Sequence, residues 1–424
     1  MRLLYDLGIN LYRLLLHILA PFHAKARLWV QGRKNIFAKL QQALPQGSGC
    51  RPIWFHFASL GEYEQGRSVM EAIRARYPQE KILVTFFSPS GYEIRKNSPL
   101  ADYVFYLPSD TSRHARKFLD IVQPKVVVFT KYEYWYHYFK AIRQREIPLL
   151  QISAIFREEQ IFFKWYGGFF RNILKQVSFF FAQNSDSVLW LRAIHLRCVG
   201  LAGDTRFDRV AELPKQQRPI PAVEAFLGTA PDHEQAARPI LVAGSTWPAD
   251  ERLLADLLLQ QTQWKLILAP HEIHEAHLKD IAGLFPEALF FSKFESYSPA
   301  QISQARVLVI DNIGMLSSLY GYGQLAYIGG GFGVGIHNTL EAATYGMPVL
   351  FGPNYARFQE AVDLIELGAG FSVSKASELQ SIVTALSEPS KQQQAGQAAA
   401  KYVQEKAGAT QIIMKYLETE RLLG

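Results

Sequence analysis

Ile53-Trp54-Phe55-His56-Phe57-Ala58-Ser59-Leu60-Gly61-Glu62 decides how this chain folds. An apolar run of strand length (53–58) ends in a small-residue turn, and helix-spaced residues follow over 63–77. The same rhythm recurs along the first half. Apolar runs at 82–86, 103–107, 126–130, 149–153 and 179–182 alternate with helical patterns at 112–122, 134–145 and 185–195. Strand, helix, strand in this order predicts a parallel sheet with helices on both faces. The runs are apolar throughout, as strands covered on two sides require.

The rhythm breaks over 213–239, which holds Pro214, Pro219, Pro221, Pro231 and Pro239 and reads as a linker with one short helix. It restarts at 240–243, 266–269, 307–310, 325–328 and 349–351. At 424 residues, two α/β domains are expected. The expected divisions are a membrane-associated amphipathic helix (1–22), an acceptor-binding Rossmann-like domain (23–212), the linker (213–238), a second Rossmann-like domain (239–393) and terminal helices (394–424). The last are expected to pack back across the domain boundary. Ligands of open parallel sheets sit beyond the carboxyl ends of the strands, so two facing sheets predict a cleft with one ligand per domain.

Charge is divided unevenly. Residues 1–210 hold 30 Lys and Arg against 16 Asp and Glu, a net +14, and the remainder carries −7. A basic half facing nucleic acid, an anionic bilayer or a phosphorylated lipid is one reading, and solubility alone is the other. The amino terminus favours the bilayer over nucleic acid. Over 3–20 the polar residues Asp6, Asn10, Arg13 and His17 form one narrow helical stripe among Leu, Ile and Tyr. A spanning helix would place Asp6 and Arg13 in hydrocarbon at about 2.5–3.5 kcal/mol each if central. Lying in the interface with the stripe facing water avoids that cost, and burial against the body is the third option. Two cysteines, Cys50 and Cys198, make neither a disulfide framework nor a zinc site, which fits a reducing compartment.

Chemistry is sought in the loops after strands. Glu62 follows the first run beside Ser59 and Gly61, where a carboxylate serves as a general base or simply complements a helix amino terminus. Lys131-Tyr132-Glu133-Tyr134-Trp135 follows the run 126–130 and offers aromatic surface for sugars and acyl chains, or core packing for Trp135. Ile328-Gly329-Gly330-Gly331-Phe332-Gly333-Val334-Gly335-Ile336-His337-Asn338-Thr339-Leu340-Glu341 is the strongest local signal: a glycine-rich loop between a strand and a helix expected over 338–345. Its glycines would let amides approach a phosphate, and Asn338 with Glu341 fits either a capping box or ribose recognition. No Gly-Lys-Ser/Thr follows, and the loop comes late in its domain, which argues against an ATPase or a dehydrogenase. Gly244-Ser245-Thr246 and Pro270-His271-Glu272 end two further strands of the same domain.

Taken together these loops resemble the 3-deoxy-D-manno-octulosonic acid (Kdo) transferases. The matches, in family order, are Ser59-Leu60-Gly61-Glu62, Ser88-Pro89-Ser90-Gly91, Tyr132-Glu133-Tyr134-Trp135, Gly203-Asp204-Thr205-Arg206-Phe207-Asp208, Gly244-Ser245-Thr246, Ala269-Pro270-His271, Gly329-Gly330 and His337-Asn338 with Leu340-Glu341, closing at Pro348-Val349-Leu350-Phe351-Gly352-Pro353. The resemblance implies a GT-B glycosyltransferase fold, inversion at the anomeric carbon, and no metal or other cofactor. It implies CMP-Kdo as donor, a phosphorylated lipid A precursor as acceptor, and work at the cytoplasmic face of the inner membrane without nucleic acid. Glu62 takes the place of the family's base, with Glu133 as the second candidate. Ser245, Thr246, His271, Gly330, Asn338 and Glu341 fall in the donor pocket, and Ser59, Gly61, Ser88, Lys131 and Trp135 on the acceptor side. The chain departs from the family at Lys131, often acidic there, and at Pro270-His271, which lacks an intervening Arg. Another GT-B enzyme using a UDP- or ADP-sugar, or a non-enzymatic membrane polyanion binder, are the competing expectations.

Overall fold

The computed structural model describes residues 1–44, 49–228 and 238–424. It divides into two compact units, Met1–Asp208 with Ala407–Gly424, and Arg209–Lys406. The first is built on β1 (Ile53–Phe57), β2 (Ile82–Phe86), β3 (Tyr103–Tyr106), β4 (Val126–Thr130), β5 (Leu149–Ala154), β6 (Phe179–Ala182) and β7 (Val199–Leu201). They pair in parallel in the order β3-β2-β1-β4-β5-β6-β7. Alternate residues serve the two faces. Trp54, Val127 and Phe129 point into one core, while Ile53, Phe55, Phe57, Val126 and Val128 enter the other. That two-sided burial is why the strands read as unbroken apolar runs.

The second unit carries β8 (Ile240–Thr246), β9 (Lys265–Pro270), β10 (Leu289–Phe290), β11 (Val307–Val309), β12 (Leu325–Ile328), β13 (Val349–Phe351) and β14 (Gly370–Ser372). Its order is β10-β11-β9-β8-β12-β13-β14, again parallel. The edge strands β7, β10 and β14 are only two or three residues long and escape periodicity analysis. The proline-rich stretch holds two short helices, Leu213–Gln216 and Pro221–Leu227, where one was expected. Residues 229–237 of that linker lie outside the described residues. The terminal segment divides: Pro389–Lys406 belongs to the second unit, and Ala409–Thr419 buries Ile413, Met414 and Leu417 in the core of the first.

At the amino terminus α1 (Arg2–Leu19) and α2 (Ala24–Gly32) meet at 118°, followed by α3 (Ile36–Ala43). Among the described residues no single helix is long and apolar enough to cross a membrane. The polar stripe of α1 is divided between the body and solvent. Asp6 Oδ1 lies 2.5 Å from His137 Nε2, and the Tyr5 hydroxyl donates to Asp110 Oδ2 at 2.5 Å. Asp110 is buried and also accepts from the amides of His137 and Tyr138. His137 on the body therefore draws Asp6 inward, while Asn10 and His17 stay exposed with hydrogen bonds inside α1. The apolar face is exposed as well, with Leu3 at 83% and Leu7, Leu11, Leu14, Ile18 and Phe22 all open.

Candidate active site

Both sheets reverse their strand order at the centre, between β1 and β4 in the first and between β8 and β12 in the second. Loops at such switch points splay apart and leave room for a ligand. The two candidate carboxylates follow β1 and β4, the pair at the first switch.

Glu62 stands in the first turn of α4 (Leu60–Arg76), behind its N-cap Ser59. The Ala58 amide donates to Glu62 Oε2 at 2.6 Å. Only 9% of the residue is exposed. Burial, reinforced by the negative Glu133, pushes its carboxyl up to about 8, against the opposing pull of the Ala58 amide and Lys131. A Cβ added at Gly61 would meet only Ser59 Oγ, at 3.9 Å, so the turn beside Glu62 is open.

Glu133 is held from two sides. Trp135 Nε1 donates to its Oε2 at 2.8 Å, and His56 Nε2 lies 3.4 Å from the same oxygen. His56 is fully buried in β1, with Nδ1 2.8 Å from Thr85 Oγ1, and burial lowers its pKa. Trp54 Nε1 donates to that hydroxyl at 2.8 Å, so Thr85 ties the two buried rings together. Lys131 has φ +54°, a conformation disfavoured for residues with a Cβ, and Gln151 Nε2 donates to its carbonyl at 2.7 Å. Trp135 packs on Phe87 at 5.0 Å between ring centres. The Ser88 amide donates to the Ala58 carbonyl at 2.9 Å, and its hydroxyl lies 2.9 Å from that of Ser90. Ser59, Gly61, Glu62 and Ser88 thus share one turn region, with Glu133 near enough to act on Glu62 electrostatically.

In the second unit Ser245 also adopts a positive φ, +54°, at the end of β8. The glycines after β12 serve chain packing. A Cβ on Gly329 would lie 2.2 Å from the Ser245 carbonyl oxygen, and one on Gly330 2.6 Å from that of Gly335. Their amides are engaged: Gly329 donates to Gly244, and Gly330 to Asp250 Oδ2, each at 2.9 Å. Gly330 therefore offers close backbone approach and no spare amide. Thr246 is fully buried and its hydroxyl donates to Glu251 Oε1 at 3.0 Å, so it is tied into the interior. The helix expected over 338–345 is only Leu340–Ala343, capped at Thr339. Asn338 Oδ1 accepts from Leu340 at 3.1 Å and its Nδ2 donates to Glu341 Oε1 at 3.1 Å, in place of the reciprocal capping box. So short a helix contributes little dipole.

His271 is exposed and stacks between Trp247 (4.8 Å) and His337 (4.4 Å). Trp247 Nε1 donates to His337 Nε2 at 3.1 Å, which puts the His337 proton on Nδ1. Burial and the neighbouring His271 hold His337 down at about 4, so it is neutral near pH 7. This three-ring stack is built at Pro270-His271, the step where the resemblance led to the expectation of an intervening Arg. His56 and Trp247 were not singled out from sequence, and His337 was quoted only within a motif, with no role. A polar residue inside the apolar run 53–57 was the one available signal for His56. Among the described residues no group of three or more His, Cys, Asp or Glu is placed to hold a metal ion.

Two seven-stranded parallel sheets, each with a strand-order switch at its centre, define the GT-B fold. Solved structures agree on the fold. A putative UDP-N-acetylglucosamine 2-epimerase from Listeria monocytogenes superposes with TM-score 0.59 at 12% identity, covering 88% of this chain and 97% of its own. MurG of Acinetobacter baumannii gives 0.53 at 11% identity, covering 87% and 99%. Residues 30–209 match the family described as 3-deoxy-D-manno-octulosonic-acid transferase (kdotransferase). The 3-deoxy-D-manno-octulosonic acid transferase of Aquifex aeolicus is 24% identical over 82% of this chain and 91% of its own length. That of Haemophilus influenzae is 26% identical over 88% and 87%. Residues 30–209 thus carry the domain of the Kdo transferases, and the chain is a glycosyltransferase of Kdo transferase type.

Proposed function

We propose that the chain transfers Kdo from CMP-Kdo to a phosphorylated lipid A precursor, with inversion, at the cytoplasmic face of the inner membrane. The observation that carries the mechanism is Glu62: buried, at a strand-order switch, and with a carboxyl raised to about 8. A base is most effective with a pKa near the working pH. Glu62 takes the proton of an acceptor hydroxyl as that oxygen bonds to the anomeric carbon of Kdo. The bond from that carbon to the CMP phosphate oxygen breaks, and CMP leaves with the electron pair. Glu133, fixed by Trp135 and His56, keeps Glu62 basic through its charge. In the second unit Asn338 and Glu341 hold the ribose hydroxyls, Ser245 and His271 the phosphate, and Gly330 the close backbone approach. Thr246 and Glu251 brace the loop from beneath. On the acceptor side Ser59, Ser88, Lys131 and Trp135 surround the open turn at Gly61.

Membrane attachment is supported by the exposed apolar face of α1, and by Trp165 and Tyr166 at 90% and 56% exposure near its amino-terminal end, where Tyr5 packs on Phe169. Interfacial helices and Tyr/Trp anchors have this composition.

The test is incubation with CMP-Kdo and a tetraacyl disaccharide phosphate, read by mass spectrometry. Glu62→Gln keeps the shape and removes the basicity, so turnover should fall by about 10²–10⁴-fold. Retention of most turnover would move the base to Glu133. Calorimetry should show CMP binding and no comparable binding of UDP; the reverse preference would favour a UDP-sugar donor.

A further inference from the structure

A pocket of about 780 Å³ opens between α1, α2, α3 and the segment carrying Pro108, Ser109 and His114. Arg13, His17, Arg33, Lys34 and His114 line it, and no carboxylate does. Arg13, Arg33 and Lys34 are in no ion pair among the described residues. Arg13 Nη1 donates to the neutral Asn10 side chain at 3.3 Å. Arg33 spends its donors on the carbonyls of Leu107, Phe87 and Trp29, and its guanidinium lies 3.9 Å from the Trp29 ring centre. It is a structural cation whose charge still reaches the pocket. Burial, and then the field of Arg13, Arg113 and Lys117, lowers the pKa of His114. Several unneutralised cations facing one cavity favour an anion, and convergent N–H donors favour phosphate.

The location narrows the ligand. Arg13 and His17 belong to α1, whose neighbouring Leu14, Leu15, Ile18 and Leu19 are exposed. An occupant therefore has an anionic head and apolar tails. The pocket also adjoins the carboxylates through packed rings: Arg33 lies over Phe87, Phe87 packs on Trp135, and Trp135 donates to Glu133.

We propose that this pocket binds the phosphomonoester of a lipid headgroup whose acyl chains lie along the apolar face of α1. Resting on the function proposed above, that headgroup is a phosphate of the acceptor lipid, held so that its sugar reaches the turn at Glu62.

The test uses the full chain and the exposed-site variant Lys34→Gln beside Arg13→Ala/Lys34→Ala, with melting curves showing that each is folded. Flotation compares phosphatidylcholine vesicles containing phosphatidic acid, a phosphomonoester, with vesicles containing phosphatidylglycerol at equal surface charge. The unaltered chain should prefer phosphatidic acid by roughly tenfold, the worth of one charge-assisted hydrogen bond. The double variant should bind both vesicles alike, with Lys34→Gln between. No preference in the unaltered chain, a preference kept by the double variant, or saturation of the site by inorganic phosphate without effect on flotation each overturns the proposal. Transfer assays separate this from the wider reading. If CMP-Kdo is used and the double variant raises KM equally for acceptors with one or two phosphates, the pocket assignment fails and the transferase stands. If no Kdo is transferred but the vesicle preference disappears in the double variant, the pocket stands and the acceptor reading fails.

Discussion

At the scale of single residues, the folded chain holds Glu62 at about 8, above the ordinary carboxylate value of 4.5. The fold therefore favours the protonated form: that stabilisation is complete below the ordinary value and is lost as pH rises through about 8. Glu62→Gln, which is always neutral, should gain thermal stability over the unaltered chain progressively between pH 5 and pH 9. Melting curves across that range test this, and a gap that does not change with pH would show that Glu62 ionises normally. The same value predicts that transfer at low acceptor concentration rises with pH through about 8, with no such limb in Glu62→Gln. Glu341→Ala should weaken CMP binding by about 1–3 kcal/mol if its carboxylate holds the ribose. Calorimetry beside a melting curve distinguishes this from a change in stability alone. That Glu62, Glu133 and His271 stand at strand ends was legible because loops after apolar runs are few. His56 was not, because its role depends on a partner 77 residues away across β4. The bracing role of Thr246 was hidden equally, since nothing local indicates that Glu251 takes its hydroxyl.

At the scale of elements, the central strands were legible because burial on both faces leaves an unbroken apolar run. Three of the four edge strands, β7, β10 and β14, were not, since each holds only two or three residues. The glycine-rich loop was located correctly, and two of its glycines have a further reason: at Gly329 and Gly330 a Cβ would strike a backbone carbonyl. In α1 the stripe is split: Asp6 finds His137 on the body, a partner 131 residues away that no local pattern shows, while Asn10 and His17 stay exposed. Removing residues 1–22 should release the chain from anionic vesicles while leaving it folded. Asp110 keeps two amide donors, from His137 and Tyr138, after Tyr5 is gone. Flotation and a melting curve measure both halves of that statement, and a truncated chain that still floats would place the attachment elsewhere.

At the scale of the whole molecule, the first unit is assembled from two separated segments, Met1–Asp208 and Ala407–Gly424. Leu417 is fully buried in its core, so Leu417→Ala should cost about 2–5 kcal/mol in denaturant unfolding. CMP affinity measured on the folded variant should be unchanged, because every proposed nucleotide contact belongs to the second unit. A loss of affinity would mean that the two units are not separable in this way. The divided first unit also imposes an order on biosynthesis. The ribosome delivers the seven strands of the first sheet and then the entire second unit before the helix Ala409–Thr419 exists to cover Phe55, Val69 and Met70. At about 5–20 residues per second that interval is about 10–40 s. Throughout it the nascent chain carries two uncovered apolar surfaces, one on α1 and one on the unfinished sheet. A polypeptide interrupted in the second unit never covers the latter, which makes it a substrate for chaperones and proteases.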